Sequence, residues 1–177
     1  MKLSKEFFSQ DAETVAKSLL GMNLVRKLDS GEILRARIVE TEAYFGKEDP
    51  ASRACKNGDL KKTMEENPGT ILVYGVHNNW LINFVTGKKG KAEAVLLRAL
   101  EPLNFNLRTT GPGLLTKALQ INKKFHKDNI LNNEKLWLES FEKEGLNIVS
   151  SFRIGVRKDL KRQLRFYIKG NKFVSRK

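Results

Sequence analysis

The alternation of apolar and polar positions divides the chain into hairpins and short helices. Ala12, Val15, Ala16, Leu19 and Leu20 recur at helical spacing, so Ser9–Leu20 reads as a helix with Ser9 or Asp11 as cap and Gly21 as stop. Asn23–Leu28 reads as a strand, turned at Asp29-Ser30-Gly31 into a long strand over Glu32–Tyr44. Gly46–Pro68 is polar and turn-rich, a loop with a short helix near Leu60–Glu66. Connections of that length in a compact domain are often functional. Thr70–Val85 reads as a second hairpin with Asn78-Asn79 as its two-residue turn. Ala92–Leu100 reads as a buried strand, and Gly111-Pro112-Gly113 opens a helix over Leu114–Ile121. Glu134–Glu144 reads as another helix capped by Asn133, and the tail as two short strands around Lys169-Gly170-Asn171. Hairpins without strand–helix alternation predict an α+β fold with an antiparallel or mixed sheet, and the length predicts a single domain over 1–177.

Strand periodicity places candidate chemistry. A regular strand over Glu32–Tyr44 puts Ile38, Glu40, Glu42 and Tyr44 on one face, apolar at its start and acidic and aromatic at its end. A carboxylate in a partly dry cleft can act as a general base, whereas the same residues on an edge strand are only a solvated acidic end. A turn at Asn78-Asn79 sets His77 opposite Trp80 and Tyr74 opposite Asn83. A ring beside an amide suits stacking a planar heterocycle while testing its edge groups, and equally suits a core-edge Tyr and a strand-end Asn. Arg98 interrupts the apolar run 94–100 and must find an acid such as Glu40, a phosphate or water. Gly111-Pro112-Gly113 can offer backbone N–H groups to a phosphate. The basic tail (Arg157, Lys158, Lys161, Arg162, Arg165, Lys169, Lys172) can line a phosphate track or be a solvated face.

Composition narrows the classes. Hydrophobic residues make up 40% of the chain, enough for a sizeable core. Lys and Arg number 33 against 20 acids, a net charge of +13, which favours a polyanionic partner such as DNA, RNA or an acidic membrane surface, unless it only reflects a Lys-rich proteome. The single cysteine, Cys55, forbids an internal disulfide and fits a reducing compartment. With two histidines it is too little for a conventional zinc site. Neither a signal peptide nor a membrane span is legible.

The segments "RIVETEAYFGKEDPAS", "GTILVY", "NFVTG", "VLLRALEPL", "GPGLLTKALQI", "RIGV" and "LRFYIKGNKFVS" occur in one order, from about Ser9 to Ser175. Together they resemble the alkyladenine (3-methyladenine) DNA glycosylases of the mammalian type, which also have bacterial members. "VETEAY" followed by "LLRALEP" is the specific pair. The resemblance implies a single glycosylase domain with a curved sheet, flanking helices and a protruding β-hairpin. It implies a monomeric, monofunctional enzyme of base excision repair that hydrolyses the N-glycosidic bond of alkylated or deaminated purines in double-stranded DNA. The lesion class is 3-methyladenine, hypoxanthine and ethenoadenine. The base is flipped, an abasic site is left, and no metal or organic cofactor is used. By position, Glu42 matches the general base that activates water, Arg98 the arginine beside that water, and Ile154 the residue whose backbone carbonyl also holds it. Tyr44 and Tyr74 match aromatic walls of the base pocket, and Asn83 the asparagine that excludes the 2-amino group of guanine.

Two departures stand out. The family usually carries histidine where this chain has Arg53, and a cation there disfavours positively charged alkylpurines. The hairpin tip is Gly75-Val-His-Asn-Asn79, with Val76, or in competition His77, at the position of the family's DNA wedge. These departures keep open a catalytically weak or inactive nucleic-acid-binding protein with the same fold, and, more remotely, an RNA-associated protein. The expected location is a bacterial cytoplasm at the nucleoid, or a nucleus, with no membrane partner.

Overall fold

The computed structural model describes residues 3–140 and 145–176. Its spine is strand β2 (Ile33–Tyr44), which follows β1 (Asn23–Lys27) in a hairpin. β5 (Ala94–Pro102) pairs β2 along most of its length, and β8 (Arg165–Ile168) takes β1's place beside Glu40–Glu42. The hairpin β3 (Ile71–Val76) and β4 (Asn79–Val85) extends the sheet from β5. β6 (Leu136–Glu139) adds to β1, and β7 (Ile148–Ser151) closes on β8. Among the described residues the eight strands form one sheet and every pairing is antiparallel, which is the α+β class that the hairpin pattern predicts.

Among the described residues four short helices flank it: α1 (Lys5–Phe8), α2 (Ala12–Leu19), α3 (Asp59–Met64) and α4 (Pro112–Ala118). Asp11, not Ser9, caps α2, accepting from the Thr14 N–H at 3.1 Å. The apolar stripe of α2 is fully buried in the main core with Ile38, Phe84, Leu97 and Phe166. The Thr41 hydroxyl donates to the Ala16 carbonyl at 2.9 Å and ties α2 to β2.

Two predicted elements are corrected. Residues 136–139 form a strand, not part of a helix over Glu134–Glu144. Asn133 uses its capping chemistry in a turn instead, its Oδ1 accepting from the Lys135 and Leu136 N–H groups as the chain enters β6. Residues 141–144 of that predicted helix lie outside the described residues. The tail contributes one strand, not two. Beyond the turn at Gly170 the chain runs irregularly, and Val174 packs with Val39 and Ala99.

β2 is not regular, and the irregularity sets the faces. Ile38 pairs Leu100, Glu40 pairs Ala99 and Thr41 pairs Leu97, so β2 carries one extra residue at Val39 and β5 one at Arg98. Leu34, Ala36 and Ile38 face the main core before the bulge and Ala43 after it, while Val39 sits in a separate cluster. A strand without the bulge would keep even-numbered positions in the core. The bulge reverses the parity, so Ile38 does not share the face of Glu42 and Tyr44, contrary to the regular-strand expectation.

The second hairpin turns at His77-Asn78, both in the left-handed region (φ 48° and 62°), one residue earlier than predicted. Tyr74 therefore opposes Leu81, and Asn83 opposes Leu72. The slip in pairing is two residues. That preserves which side chains face the core, so alternation alone cannot choose between the two registers.

Candidate active site

Glu42 is fully buried between β5 and β8, opposite Leu96 and Arg165. Its Oε2 accepts from the Tyr44 hydroxyl at 2.7 Å and its Oε1 from the Ile154 N–H at 2.8 Å. The Nε of Arg98 lies 3.6 Å from Glu42 Oε1 and 3.8 Å from Glu40 Oε1, and among the described residues it has no hydrogen-bond partner. The β5 bulge brings the Arg98 side chain to this face. Burial raises the Glu42 carboxyl above its ordinary range, opposed by Arg98, the Ile154 N–H and the Tyr44 hydroxyl. Burial, then the neighbouring Glu42, pushes the Tyr44 phenol well up, so it stays protonated and donates.

Glu40, two residues away, is closed off. One oxygen accepts from Arg165 Nε at 2.7 Å and the Ser175 hydroxyl at 2.8 Å, the other from the Ser175 N–H at 2.6 Å. It fastens the tail to the sheet. Of the two acids in "VETEAY", only Glu42 is held by groups that themselves line a cavity: Tyr44, Arg98 and Ile154. This cavity, about 870 Å³, is walled by Tyr44 and Tyr74 and also lined by Val76, His77 and Leu96. Its other cations are Arg53, Lys56, Arg157 and Lys158, and among the described residues no Asp or Glu lines it.

Tyr44, Arg53, Tyr74, Val76, His77, Arg98 and Ile154 thus meet at one cavity, with Glu42 directly behind Tyr44 and Ile154. Ile154 reaches the carboxylate through its N–H, whereas the resemblance implies its carbonyl at the water. Asn83 does not line the cavity. It is buried, its amide donates to the Leu72 carbonyl at 3.1 Å, and it lies close enough to Tyr74 to help lower a phenol that burial raises. The Arg53 guanidinium stands 4.8 Å from the centre of the Tyr74 ring.

Sequence reasoning missed what supports Tyr44. Arg153, fully buried, makes two 2.7 Å bonds to Asp49, donates to the Ala43 carbonyl at 3.0 Å and pairs with Asp159. Its guanidinium lies 4.5 Å from the Tyr44 ring centre. Burial works against its charge, and the two carboxylates more than offset that. The only trace in the sequence is its place beside Ile154 in "RIGV" and an Asp in the loop after Tyr44.

A glycine in the first turn of α4 has a packing role. A Cβ on Gly113 would come within 2.7 Å of Asn79 Cβ, so α4 closes directly on the hairpin, and the Thr116 hydroxyl donates to the Trp80 carbonyl at 2.7 Å. The basic tail divides. Arg157 and Lys158 line the cavity, Arg162 pairs with Glu13 at 2.7 Å, Arg165 is buried on Glu40, and Lys161, Lys169 and Lys172 are exposed.

A buried carboxylate beside an arginine, directly behind a cation-lined cavity with two aromatic walls, has the chemistry that hydrolysis within a polyanionic substrate would use. Comparison with known proteins agrees. The sequence profile of the family described as methylpurine-DNA glycosylase matches residues 6–172, and the chain belongs to that family of DNA repair enzymes. Among its relatives, proteins of Aeropyrum pernix (41% identical, over 98% of this chain and 93% of the relative) and Borreliella afzelii (41%, over 98% and 100%) are named as inferred 3-methyladenine DNA glycosylases. A Clostridium tetani protein with the same name is 38% identical over the full length of both chains. No helix among the described residues is long and apolar enough to cross a membrane.

Proposed function

We propose that this chain is a monofunctional glycosylase that releases alkylated or deaminated purines from double-stranded DNA, acting on a flipped nucleotide and leaving an abasic site. The single observation that carries this reading is the setting of Glu42. It is buried, held at each oxygen by one donor, beside Arg98 and next to a cavity large enough for a purine. Inside a duplex, C1′ cannot be approached in line by water, so the nucleotide leaves the stack and its base enters between Tyr44 and Tyr74. The Tyr44 hydroxyl and the Ile154 N–H orient the Glu42 carboxylate, and Arg98 helps keep it ionised. Ionised Glu42 takes a proton from water as that water attacks C1′, and its charge offsets the oxocarbenium character of the breaking bond. Val76 at the hairpin tip, with His77 beside it, fills the gap left in the duplex. Asn83, which the resemblance places at the 2-amino group of guanine, is instead buried on the Leu72 carbonyl outside the cavity and has no direct part in this reading.

The test is single-turnover base release from a lesion-bearing duplex, with abasic sites revealed by alkali. Glu42→Gln is expected to lose at least about a thousandfold in rate, as expected when a general base and an electrostatic stabiliser are removed together, while still binding abasic-site DNA. Release at the parent rate by this variant would refute the assignment.

A further inference from the structure

Arg53 begins a short 3₁₀ turn, Arg53–Cys55, in the loop that follows β2. The turn is fixed by the Ser52 hydroxyl, which accepts from the Ala54 N–H at 3.1 Å, and by Ala54, buried in a small cluster with Met64, Leu72 and Val85. The backbone beneath Arg53 is therefore anchored while its side chain stays exposed. The guanidinium stacks on Tyr74, 4.8 Å from the ring centre, and lines the cavity. Among the described residues no carboxylate pairs with it, unlike Arg98, Arg153 and Arg165. It is a donor fork that lies over an aromatic ring without a paired carboxylate, at the wall of a cavity that no acid among the described residues lines.

We propose that Arg53 reads the C6–N7 edge of the flipped base and makes this enzyme selective for deaminated purines, hypoxanthine above all, over cationic alkylpurines. The proposal rests on the glycosylase reading above. A guanidinium fork needs two adjacent acceptors, and a purine with a carbonyl at C6 and an unsubstituted N7 supplies them. A purine methylated at N7 blocks one acceptor and carries a positive charge into a cavity already lined by Arg53, Lys56, Arg98, Arg157 and Lys158. A purine with a 6-amino group, including 3-methyladenine, opposes the fork with a donor. Undamaged guanine offers the same acceptors as hypoxanthine and differs by its 2-amino group, so the fork selects among lesions and does not by itself tell hypoxanthine from guanine.

The experiment compares single-turnover release of hypoxanthine and 7-methylguanine from duplexes of one sequence, for the parent and for Arg53→Gln, Arg53→Lys and Arg53→His. The parent is expected to favour hypoxanthine by at least about tenfold. Arg53→Gln should lower that ratio by about tenfold, through slower hypoxanthine and faster 7-methylguanine release. Arg53→Lys should keep the rejection of the cationic base but lose the hypoxanthine advantage, separating charge from fork geometry. Arg53→His should fall toward the Gln ratio. A parent with no preference for hypoxanthine, or variants that slow both bases equally, would overturn the proposal and leave the glycosylase reading intact. No release of any lesion by the parent would overturn both.

Discussion

At the residue scale, two glutamates one strand repeat apart have opposite fates because of their partners. Glu40 accepts three strong bonds and is committed to structure, whereas each oxygen of Glu42 has a single donor and an arginine nearby. The desolvation that raises Glu42 fixes two pH effects. In the proposed mechanism base release needs the ionised form, so the acid limb of the rate profile is expected at higher pH than an exposed glutamate would give. The stability effect has the opposite sense. A carboxyl raised in the folded state contributes most below its unfolded value, and that contribution is lost as pH rises through its folded value. Glu42→Gln should therefore melt near the parent at about pH 4, where the unfolded-chain glutamate is half protonated, and above it at neutral pH. Calorimetry across that range checks this. A variant less stable than the parent at neutral pH would mean that the ion pair with Arg98 outweighs burial.

At the element scale, what was legible depended on parity and what was not depended on register. The hairpins, most of the helix predicted over Ser9–Leu20 and the shared face of Glu42 and Tyr44 follow from alternation, and the need of Arg98 for an acid from its place in an apolar run, whereas its approach to Glu42 was implied only by the family resemblance. The paired bulges at Val39 and Arg98 leave no local signature, because each is defined only against its partner strand. The turn at His77-Asn78 was missed because a two-residue slip keeps every core residue inside. β6 was missed because an Asn that caps a helix can equally open a strand. Arg153 was missed because its partners Asp49 and Asp159 come from different loops. One contact the sequence did not reveal carries its own test. Gly113 leaves no room for a Cβ against Asn79, so Gly113→Ala must push α4 from the hairpin tip. Overpacking of this kind costs roughly 1–3 kcal/mol, about 2–12 °C in melting temperature for a chain of this size. The loss should appear in abasic-site binding as well as in thermal melting. A variant with unchanged melting and unchanged binding would show that hairpin and helix are not mechanically coupled.

At the scale of the whole molecule, a net charge of +13 is distributed to different ends. Arg153 and Arg165 are consumed in buried pairs, Arg162 holds Glu13, and Lys161, Lys169 and Lys172 lie on the open surface. Arg157 and Lys158 alone in the basic tail border the cavity, immediately after Ile154 holds Glu42. A strand whose nucleotide enters that cavity must pass its phosphates over them, while the remote lysines add only a diffuse field that salt screens. The two groups are separable by the salt dependence of affinity, since each neutralised phosphate contributes about −0.9 to the slope of log K against log salt. Replacing Arg157 and Lys158 together by Ala should make the slope for abasic-site duplex shallower by about 1.8, whereas replacing Lys169 and Lys172 should barely change it. Fluorescence anisotropy titrations between about 50 and 200 mM salt measure both slopes. Equal changes from the two pairs would mean that DNA is held by overall charge, and that the cavity rim does not set where the backbone runs.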